Sequence, residues 1–326
     1  PEGEESLADL LAQLDTFTGL NSVKQSMRNF VDYLEFINQR KQAGFKTQGG
    51  LSVNSVFLGN PGTGKTTIAR VLGKIFKAMG ILEKGHIIEV DRGSLVGQYI
   101  GETAQKTEKV IEDSMGGLLF IDEAYTLVKK GGSGQDFGQE AIDTLLKRME
   151  DKAGQFAVIA AGYPDEMNDF LSSNPGMKSR FTHVFDFEDY TPAEMIEIFK
   201  IMAEKEEYAV EVNAVEALMK QFTNLYRRRD KTFGNARLVR NYFNDAKMAL
   251  SRRYLKLPEK MRDKSALTTI KEEDIVEILK TADKKEVKAG VDEETLEKAL
   301  AQLNGLTGLP TVKKEINELV KLARYY

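Results

Sequence analysis

The order of apolar and polar positions divides the chain into two parts. In the first part, short apolar runs alternate with longer amphipathic segments. The runs predict strands over residues 51–58, 86–90, 118–121, 156–160 and 182–187. Stripes of helical period predict one helix from the glycine-rich turn after the first strand to residue 79, and others over 103–115 and 139–150. Two more are predicted between residues 5 and 43, with a break at 18–20. Because strands alternate with helices, we expect a parallel sheet with helices on both faces.

The pattern changes at Thr191-Pro192. A threonine followed by proline at the first helical position, with Glu194 close behind, is typical of a helix start. From there to about Ala282 nearly every residue fits a helical period, apart from a short extended piece at Leu267–Ile270. We therefore predict an α/β domain over residues 1–190, including the N-terminal helices, and an all-helical domain over residues 191–282.

The first strand runs directly into a glycine-rich turn, residues 59–66, that fits the phosphate-binding pattern G-x-x-x-x-G-K-[ST]. Its glycines let the backbone curl so that successive N–H groups point at phosphates, and the helix that follows adds the positive end of its dipole. Lys65 is expected to contact the β- and γ-phosphates, and the Thr66 hydroxyl to hold Mg²⁺. The predicted nucleotide-binding residues of this turn are Asn60, Pro61, Gly62, Thr63, Gly64, Lys65, Thr66 and Thr67.

Two acids follow the third predicted strand, at Asp122 and Glu123. In an open α/β sheet, ligands bind at the carboxyl ends of the strands. Asp122 is expected to coordinate Mg²⁺ through water, and Glu123 to position and polarise an attacking water molecule. The alternative, a strand that simply ends in solvated acids, loses weight because the pair follows a P-loop by about 55 residues.

With these residues the chain resembles the AAA+ ATPases, and within them the subgroup of CbbX and stage V sporulation protein K. Further segments that carry the resemblance lie at residues 18–24, 95–104, 118–125, 160–164, 174–181 and 234–237. The resemblance implies a P-loop αβα sandwich with a parallel five-stranded sheet, followed by a small all-helical lid. It also implies ATP and Mg²⁺ as cofactors, ATP hydrolysis, and assembly into a homo-oligomer, expected to be a hexamer.

The resemblance assigns roles to residues outside the two motifs. Gly19 and Leu20 lie in the segment that packs against adenine. Arg180 resembles the arginine finger, which acts on the γ-phosphate of the neighbouring subunit, and an always-charged planar guanidinium suits that task. The alternative for Arg180 is an arginine in a surface salt bridge. Arg237 resembles the lid sensor that contacts the nucleotide of its own subunit. Tyr163 stands where many of these proteins have a polar sensor, so core packing is an equal alternative for it.

Residues 95–104 resemble the first pore loop, and Tyr99 and Ile100 match the pair that grips a threaded polypeptide. The flanking Gly97 and Gly101 suit a loop better than a packed helix. An aromatic side chain with few rotamers can grip many sequences by apolar contact. The alternative is a tyrosine folded into the core.

The composition excludes several kinds of site. The chain has no cysteine and two histidines, His86 and His183, so disulfides and thiolate metal sites are impossible and a histidine-based zinc centre is not expected. No apolar run approaches the ~18 residues that a bilayer span needs, and no signal-peptide core begins the chain, so we expect a cytoplasmic protein. The net charge of −4 argues against a protein that mainly coats nucleic acid.

One segment departs from that acidic balance. Residues 220–264 contain 14 Lys and Arg residues against 4 Asp and Glu residues. This excess is compatible with a nucleic-acid surface, a solvated helix face, or subunit-to-subunit contacts with the acidic α/β domain. No base-reading motif accompanies the charge, so nucleic acid is the least favoured of the three.

Three functions remain open from the sequence. The first is a ring-forming motor that couples ATP hydrolysis to pulling on a protein client through a central pore, and Tyr99 favours it. The second is a nucleic-acid-acting loader, which the basic segment favours. The third is a nucleotide-gated assembly switch, which nothing in the sequence excludes. The resemblance does not identify the client, because shared motor residues say little about the substrate.

The C-terminal segment repeats the N-terminal one at a spacing of 289 residues, as in Leu306–Leu309 against Phe17–Leu20. Repetition at a whole-domain period is typical of tandem units. We therefore expect residues 283–326 to contain a linker, over about 284–291, and the start of a second AAA+ module. The alternative is a generic amphipathic helix that packs back on this domain.

Overall fold

The computed structural model describes residues 5–45, 53–99, 101–128 and 137–288, together with isolated positions from residue 300 onward. Ile100 of the predicted pore loop and nearly all of the repeated C-terminal segment lie outside the described residues. Two helices come first, α1 (Leu7–Asp15) and α2 (Asn21–Gln42), on either side of the predicted break. Within the described ranges, no helix is both long enough and apolar enough to cross a membrane.

The predicted five-stranded parallel sheet is confirmed. Its strands are β1 (Ser55–Gly59), β2 (Ile87–Val90), β3 (Leu118–Ile121), β4 (Ala157–Gly162) and β5 (His183–Phe187), in the order β2-β3-β4-β1-β5. β1 begins later than the predicted residue 51. The side chain of Asn54 instead accepts a hydrogen bond from Val158 N over 2.8 Å, so this residue caps the neighbouring strand β4.

Side chains alternate in direction along each strand, so both faces of the sheet carry apolar side chains, and helices cover both faces. Phe57 and Phe120 pack against α2 and α3 (Lys65–Ala78) on one face. Val56 and Leu119 point to the other face. Four helices cover that face: α5 (Glu102–Asp113), α6 (Phe137–Asp151), α7 (Pro164–Ser172) and α8 (Pro175–Arg180). The short helix α4 (Arg92–Leu95) precedes α5.

The lid follows β5 and shares the α2/α3 core. Its helices are α9 (Pro192–Lys205), α10 (Val212–Arg227), α11 (Asn235–Lys256), α12 (Lys264–Thr268) and α13 (Glu272–Lys288). The predicted start at Thr191 is present as a capping box with Glu194. The lid therefore begins where the sequence pattern changes.

Two details of the lid differ from the prediction. The extended piece predicted at Leu267–Ile270 is half right: α12 reaches Thr268, and the second half of the piece is extended as β7 (Thr269–Ile270). β7 pairs in parallel with β6 (Ala209–Val210), which the periodicity had assigned to a helix. The pairing places Ile270 in the core, where tertiary contact outweighs local pattern. In addition, α13 continues to Lys288, past the predicted end of the lid at residue 282 and into the predicted linker.

Candidate active site

The sheet order brings three strand ends together. β4 lies between β1 and β3, with Leu58 opposite Gly162 and Ile121 opposite Ala160. The P-loop after β1, the acids after β3 and Tyr163 after β4 therefore meet at one edge of the sheet, as expected for an open α/β fold. They enclose a cavity of about 330 Å³ lined by Gly59, Pro61, Gly62, Gly64, Lys65, Thr66, Thr67, Asp122, Glu123, Gly162, Tyr163, Ala236, Arg237 and Arg240.

The curl of the P-loop depends on glycines with left-handed backbone. Gly62 has φ +74° and Gly64 has φ +94°, and Gly64 directly precedes α3. A Cβ atom on Gly62 would collide with the carbonyl oxygen of Gly234, which belongs to the lid. The loop can adopt this shape beside the lid only with glycine at that position. The predicted strand–turn–helix context is thus present, with a helix N-terminus facing the cavity.

Lys65 lies in the cavity and its ammonium donates to two P-loop carbonyls, Gly59 O at 2.7 Å and Asn60 O at 2.9 Å. The pKa of Lys65 is lowered to about 8, chiefly by burial; Asp122 opposes this shift and Arg237 contributes to it. A lysine with that pKa is still mainly cationic at neutral pH. It therefore supplies a positive charge next to the helix N-terminus, which suits a polyphosphate.

The acid pair is placed for different tasks. Asp122 is half-buried and accepts a hydrogen bond from Glu123 N over 3.1 Å. Glu123 is exposed and has φ +48°, a strained conformation for a residue other than glycine. Strain of this kind concentrates at functional positions. Asp122 and the Thr66 hydroxyl share the cavity, and hard oxygen donors of this type suit Mg²⁺ that is also held by phosphates.

No group of three or more His, Cys, Asp or Glu residues able to hold a metal by itself is found in the described part of the chain. A metal ion in the cavity would therefore share its coordination sphere with substrate oxygens and water. This is the way Mg²⁺ usually binds in nucleotide sites.

The cavity also contains predicted residues from other elements. Arg237 reaches it from the start of α11, and Tyr163 reaches it from the end of β4 with its ring centroid 5.8 Å from that of Tyr125. Arg240 lines the cavity as well and was not predicted. Its spacing of three residues from Arg237 on one helix was the available signal.

A second cavity, of about 660 Å³, adjoins the first and has a more apolar wall. It lies between the segment Thr16–Leu20, the start of α3, and helices α9 and α11, and includes Leu20, Met202 and Phe243. Gly19 is not part of the wall: it has φ +60° and packs against the side chain of Glu194. An apolar pocket next to a phosphate-type site suits a planar base.

Asn60 and Thr63 direct their side chains into the protein instead of the cavity. Thr63 Oγ1 donates to Asn60 O over 2.9 Å. Asn60 Nδ2 donates to both carboxylate oxygens of Asp189, over 2.9 and 3.1 Å. Asp189 also accepts from Asn235 Nδ2 over 2.8 Å and pairs with Arg229. We call Asn60, Asp189, Arg229 and Asn235 the Asp189 cluster; sequence reasoning did not single out Asp189, Arg229 or the role of Asn235.

Two predicted residues lie apart from the cavity. Arg180 ends α8, where its guanidinium pairs with Glu150 and donates to Gly176 O over 3.3 Å. Tyr99 is 70% exposed, and the backbone around it is held by the Glu102 carboxylate, which accepts from Gln98 N and Tyr99 N over 3.2 Å each. Neither residue could contact a nucleotide in the cavity of its own chain without moving.

Five of the 14 basic residues within residues 220–264 form ion pairs with acids elsewhere in the protein. Arg229 pairs with Asp189 and Lys231 with Glu166, and both contacts join the lid to the α/β domain. Further ion pairs within the lid are Lys247–Glu206, Arg252–Glu277 and Arg253–Asp274. The acids in these pairs lie outside the segment, and the pairs form within one chain, so they are not the subunit-to-subunit contacts that were expected.

Known proteins share this arrangement. Residues 55–189 match the family described as "ATPase family associated with various cellular activities (AAA)", and residues 191–287 match the AAA lid domain. Stage V sporulation protein K of Bacillus subtilis is 42% identical over 272 residues, 82% of this chain and 82% of that protein. The chloroplastic ribulose bisphosphate carboxylase/oxygenase activase of Cyanidioschyzon merolae is 40% identical over 274 residues, 84% of this chain and 91% of that protein.

A solved structure gives independent support for the fold. A RuvB mutant of Thermotoga maritima superposes with a TM-score of 0.53 at 18% identity, covering 85% of this chain and 72% of that one. Identity this low bears on the fold alone. The family models and the sequence relatives confirm the predicted resemblance. The chain belongs to the AAA ATPases, in the subgroup that includes stage V sporulation protein K and CbbX, and it is a nucleotide-binding ATPase.

Proposed function

We propose that this ATPase is a ring-forming motor, expected to be a hexamer, that uses ATP hydrolysis to remodel a protein client. The adenine base occupies the apolar cavity beside Leu20, and the phosphates lie against the P-loop amides and Lys65. Thr66 and, through water, Asp122 would hold Mg²⁺ beside the phosphates. When bound, Mg²⁺ neutralises charge on the β- and γ-phosphates.

The hydrolytic step uses side chains from two elements of the same chain and one from a neighbour. Glu123 polarises the attacking water, for which its exposed carboxylate at the cavity wall is suitably placed. Arg237 contacts the phosphates from the lid of the same subunit. Arg180, which lies outside the cavity of its own chain, completes the site of the next subunit in the ring.

The exposed position of Tyr99 is the observation that carries the pulling function. Tyr99 is 70% exposed, which leaves most of its surface available for contact with another chain. Here the loop is braced by Glu102, and Lys106 Nζ adds hydrogen bonds to Gly93 O at 2.6 Å and Val96 O at 3.2 Å. A braced loop that presents an aromatic ring to solvent suits a contact with a client chain in a central pore.

The relatives support work on a protein and do not identify the client. One relative is named as an activase of ribulose bisphosphate carboxylase/oxygenase, which is itself a protein. The paired basic residues of the lid give no separate support to a nucleic-acid loader. We therefore favour the motor.

Tyr99→Ala tests the pulling function. We expect it to leave basal ATP hydrolysis within about twofold of wild type, because Tyr99 is not among the residues that line the cavity, and to abolish ATP-dependent unfolding of a model protein substrate. Tyr33→Ala is the matched control, since Tyr33 is 51% exposed on α2, and it should retain both activities. Unchanged client unfolding by Tyr99→Ala would contradict threading and favour the assembly switch.

A further inference from the structure

The lid contacts the P-loop through two carbonyl groups of that loop. Asn235 Nδ2 donates to Pro61 O over 3.2 Å, and Ala236 N donates to Gly62 O over 3.1 Å. In a planar trans peptide the N–H points away from the C=O of the same unit. Because these two carbonyls face the lid, the amide N–H groups of Gly62 and Thr63 are turned in the opposite direction.

The Asp189 carboxylate accepts hydrogen bonds from Asn235 of the lid and from Asn60 of the P-loop at the same time. Its Oδ1 accepts from Asn235 Nδ2 over 2.8 Å, and both of its oxygens accept from Asn60 Nδ2. Arg229 Nε, 3.3 Å from Oδ2, supplies the compensating charge. The Asp189 side chain is only 15% exposed, so water cannot easily replace these partners. One carboxylate therefore connects the phosphate loop, the lid and the end of the sheet.

Asn235 is held in an unusual conformation at this point. It is fully buried and has φ +48°, which asparagine tolerates better than most residues. Its Oδ1 accepts from Tyr190 N over 2.8 Å, so the amide orientation is fixed on both sides. Glycine would adopt this φ without strain but could make none of these hydrogen bonds.

We propose that Asp189 and Asn235 are positioning residues through which the lid sets the direction of the P-loop amides of Gly62 and Thr63, and thereby the affinity for phosphates. Neither side chain touches a phosphate. This role rests on the proposed nucleotide site and adds a regulation to it. When the lid moves away, Pro61 O and Gly62 O lose their donors, the two peptides are free to rotate, and phosphate affinity falls.

Asp189→Asn tests this role. The substitution replaces one acceptor oxygen by an NH₂ donor at nearly constant volume. Asn60 donates to both oxygens, Asn235 to one and Arg229 faces the other, so either orientation of the new amide sets a donor against a donor. We expect the Kd for a fluorescent ADP analogue to rise about tenfold, the effect of one mismatched buried polar group.

Asp274→Asn is the matched control for general destabilisation. Asp274 is 1% exposed and accepts from Arg253 over 2.8 and 3.0 Å and from Lys271 N over 2.8 Å, all within the lid. Both variants should unfold at a lower temperature than wild type, and Asp274→Asn should keep the Kd for ADP within about twofold. An equal rise of Kd in both variants, or no rise in Asp189→Asn, would overturn the proposal.

Asn235→Gly decides the question if Asp189→Asn does not fold. Glycine keeps the left-handed backbone and removes only the amide, so the fold should persist while the Kd for ADP again rises about tenfold. An unchanged Kd in Asn235→Gly would refute the positioning role. Wild-type protein that failed to bind ADP in the same titration would refute the proposed nucleotide site itself, so the two failures are distinguishable.

Discussion

At the scale of single residues, Glu123 and Lys65 both line the cavity, and their substitution should affect ATP hydrolysis and ATP binding differently. Glu123 lies at its wall in a strained conformation, and Lys65 lies beside the P-loop carbonyls. We expect Glu123→Gln to bind ATP normally and to lower kcat roughly 100- to 10,000-fold, because the phosphate and metal ligands remain while the water is not polarised. Lys65→Ala should lose ATP binding. Nucleotide titrations combined with steady-state hydrolysis separate the two, and near wild-type turnover by Glu123→Gln would show that the base is another group.

The close approach of lid and P-loop gives a second prediction at this scale. Gly62→Ala introduces left-handed strain and a collision with Gly234 O, whereas Gly80→Ala introduces similar strain at φ +68° with no atom within 4 Å of the new Cβ. Each change should lower the free energy of unfolding by about 1–2 kcal/mol from strain alone. Only Gly62→Ala should also weaken ADP binding, as measured by titration. Equal ADP affinities in the two variants would show that the lid tolerates displacement.

At the residue scale, local sequence patterns singled out residues that share one cavity, and the roles assigned to them stay predictions. Lys65, Thr66 and Asp122 belong to contiguous patterns that follow predicted strands, and the structure brings all three to one cavity. Asp189 was missed because its partner Asn60 is 129 residues away in sequence. A hydrogen-bonded aspartate at a strand end has the same local pattern as a solvated one, and only the fold tells them apart.

At the scale of elements, the start of α5 determines how firmly the loop before it is held. Glu102→Ala removes the acceptor for Gln98 N and Tyr99 N. We expect chymotrypsin to cleave after Tyr99 severalfold faster in this variant, because the loop opens more often. Glu112→Ala, an exposed acid near the other end of α5, should leave the cleavage rate unchanged. Equal rates in both variants would show that the loop is held by other contacts.

Elements with a strong apolar pattern were predicted from the sequence, whereas the two-residue strand β6 was not. The stripe on α3 and the buried run of β3 bury enough apolar surface to dictate their own structure. β6 has two residues, fewer than any periodicity can reveal, and it pairs across most of the lid sequence with β7, which lies inside the predicted extended piece. Their conformation depends on Ile270 entering a core that other helices have already formed.

At the scale of the whole molecule, the proposed site takes one residue, Arg180, from a second copy of the chain. Arg180 is the predicted arginine finger, yet its guanidinium is bound to Glu150 on the far end of α6, outside the cavity that holds Lys65 and Glu123. In a ring, the same face of α8 can meet the cavity of the next copy. We therefore propose that hydrolysis requires two chains, one that supplies the P-loop and Glu123 and one that supplies Arg180.

ATP turnover of mixed variants tests this claim most directly, and it needs no knowledge of the client. Arg180→Ala and Glu123→Gln should each bind ATP and hydrolyse it poorly alone, whereas Lys178→Ala, which removes a neighbouring charge from α8, should retain turnover. When the two inactive variants are mixed and reassembled, a site with an intact Glu123 next to an intact Arg180 forms in some rings. We predict that turnover rises well above that of either variant alone; mixed oligomers that remain as inactive as their components would contradict the account.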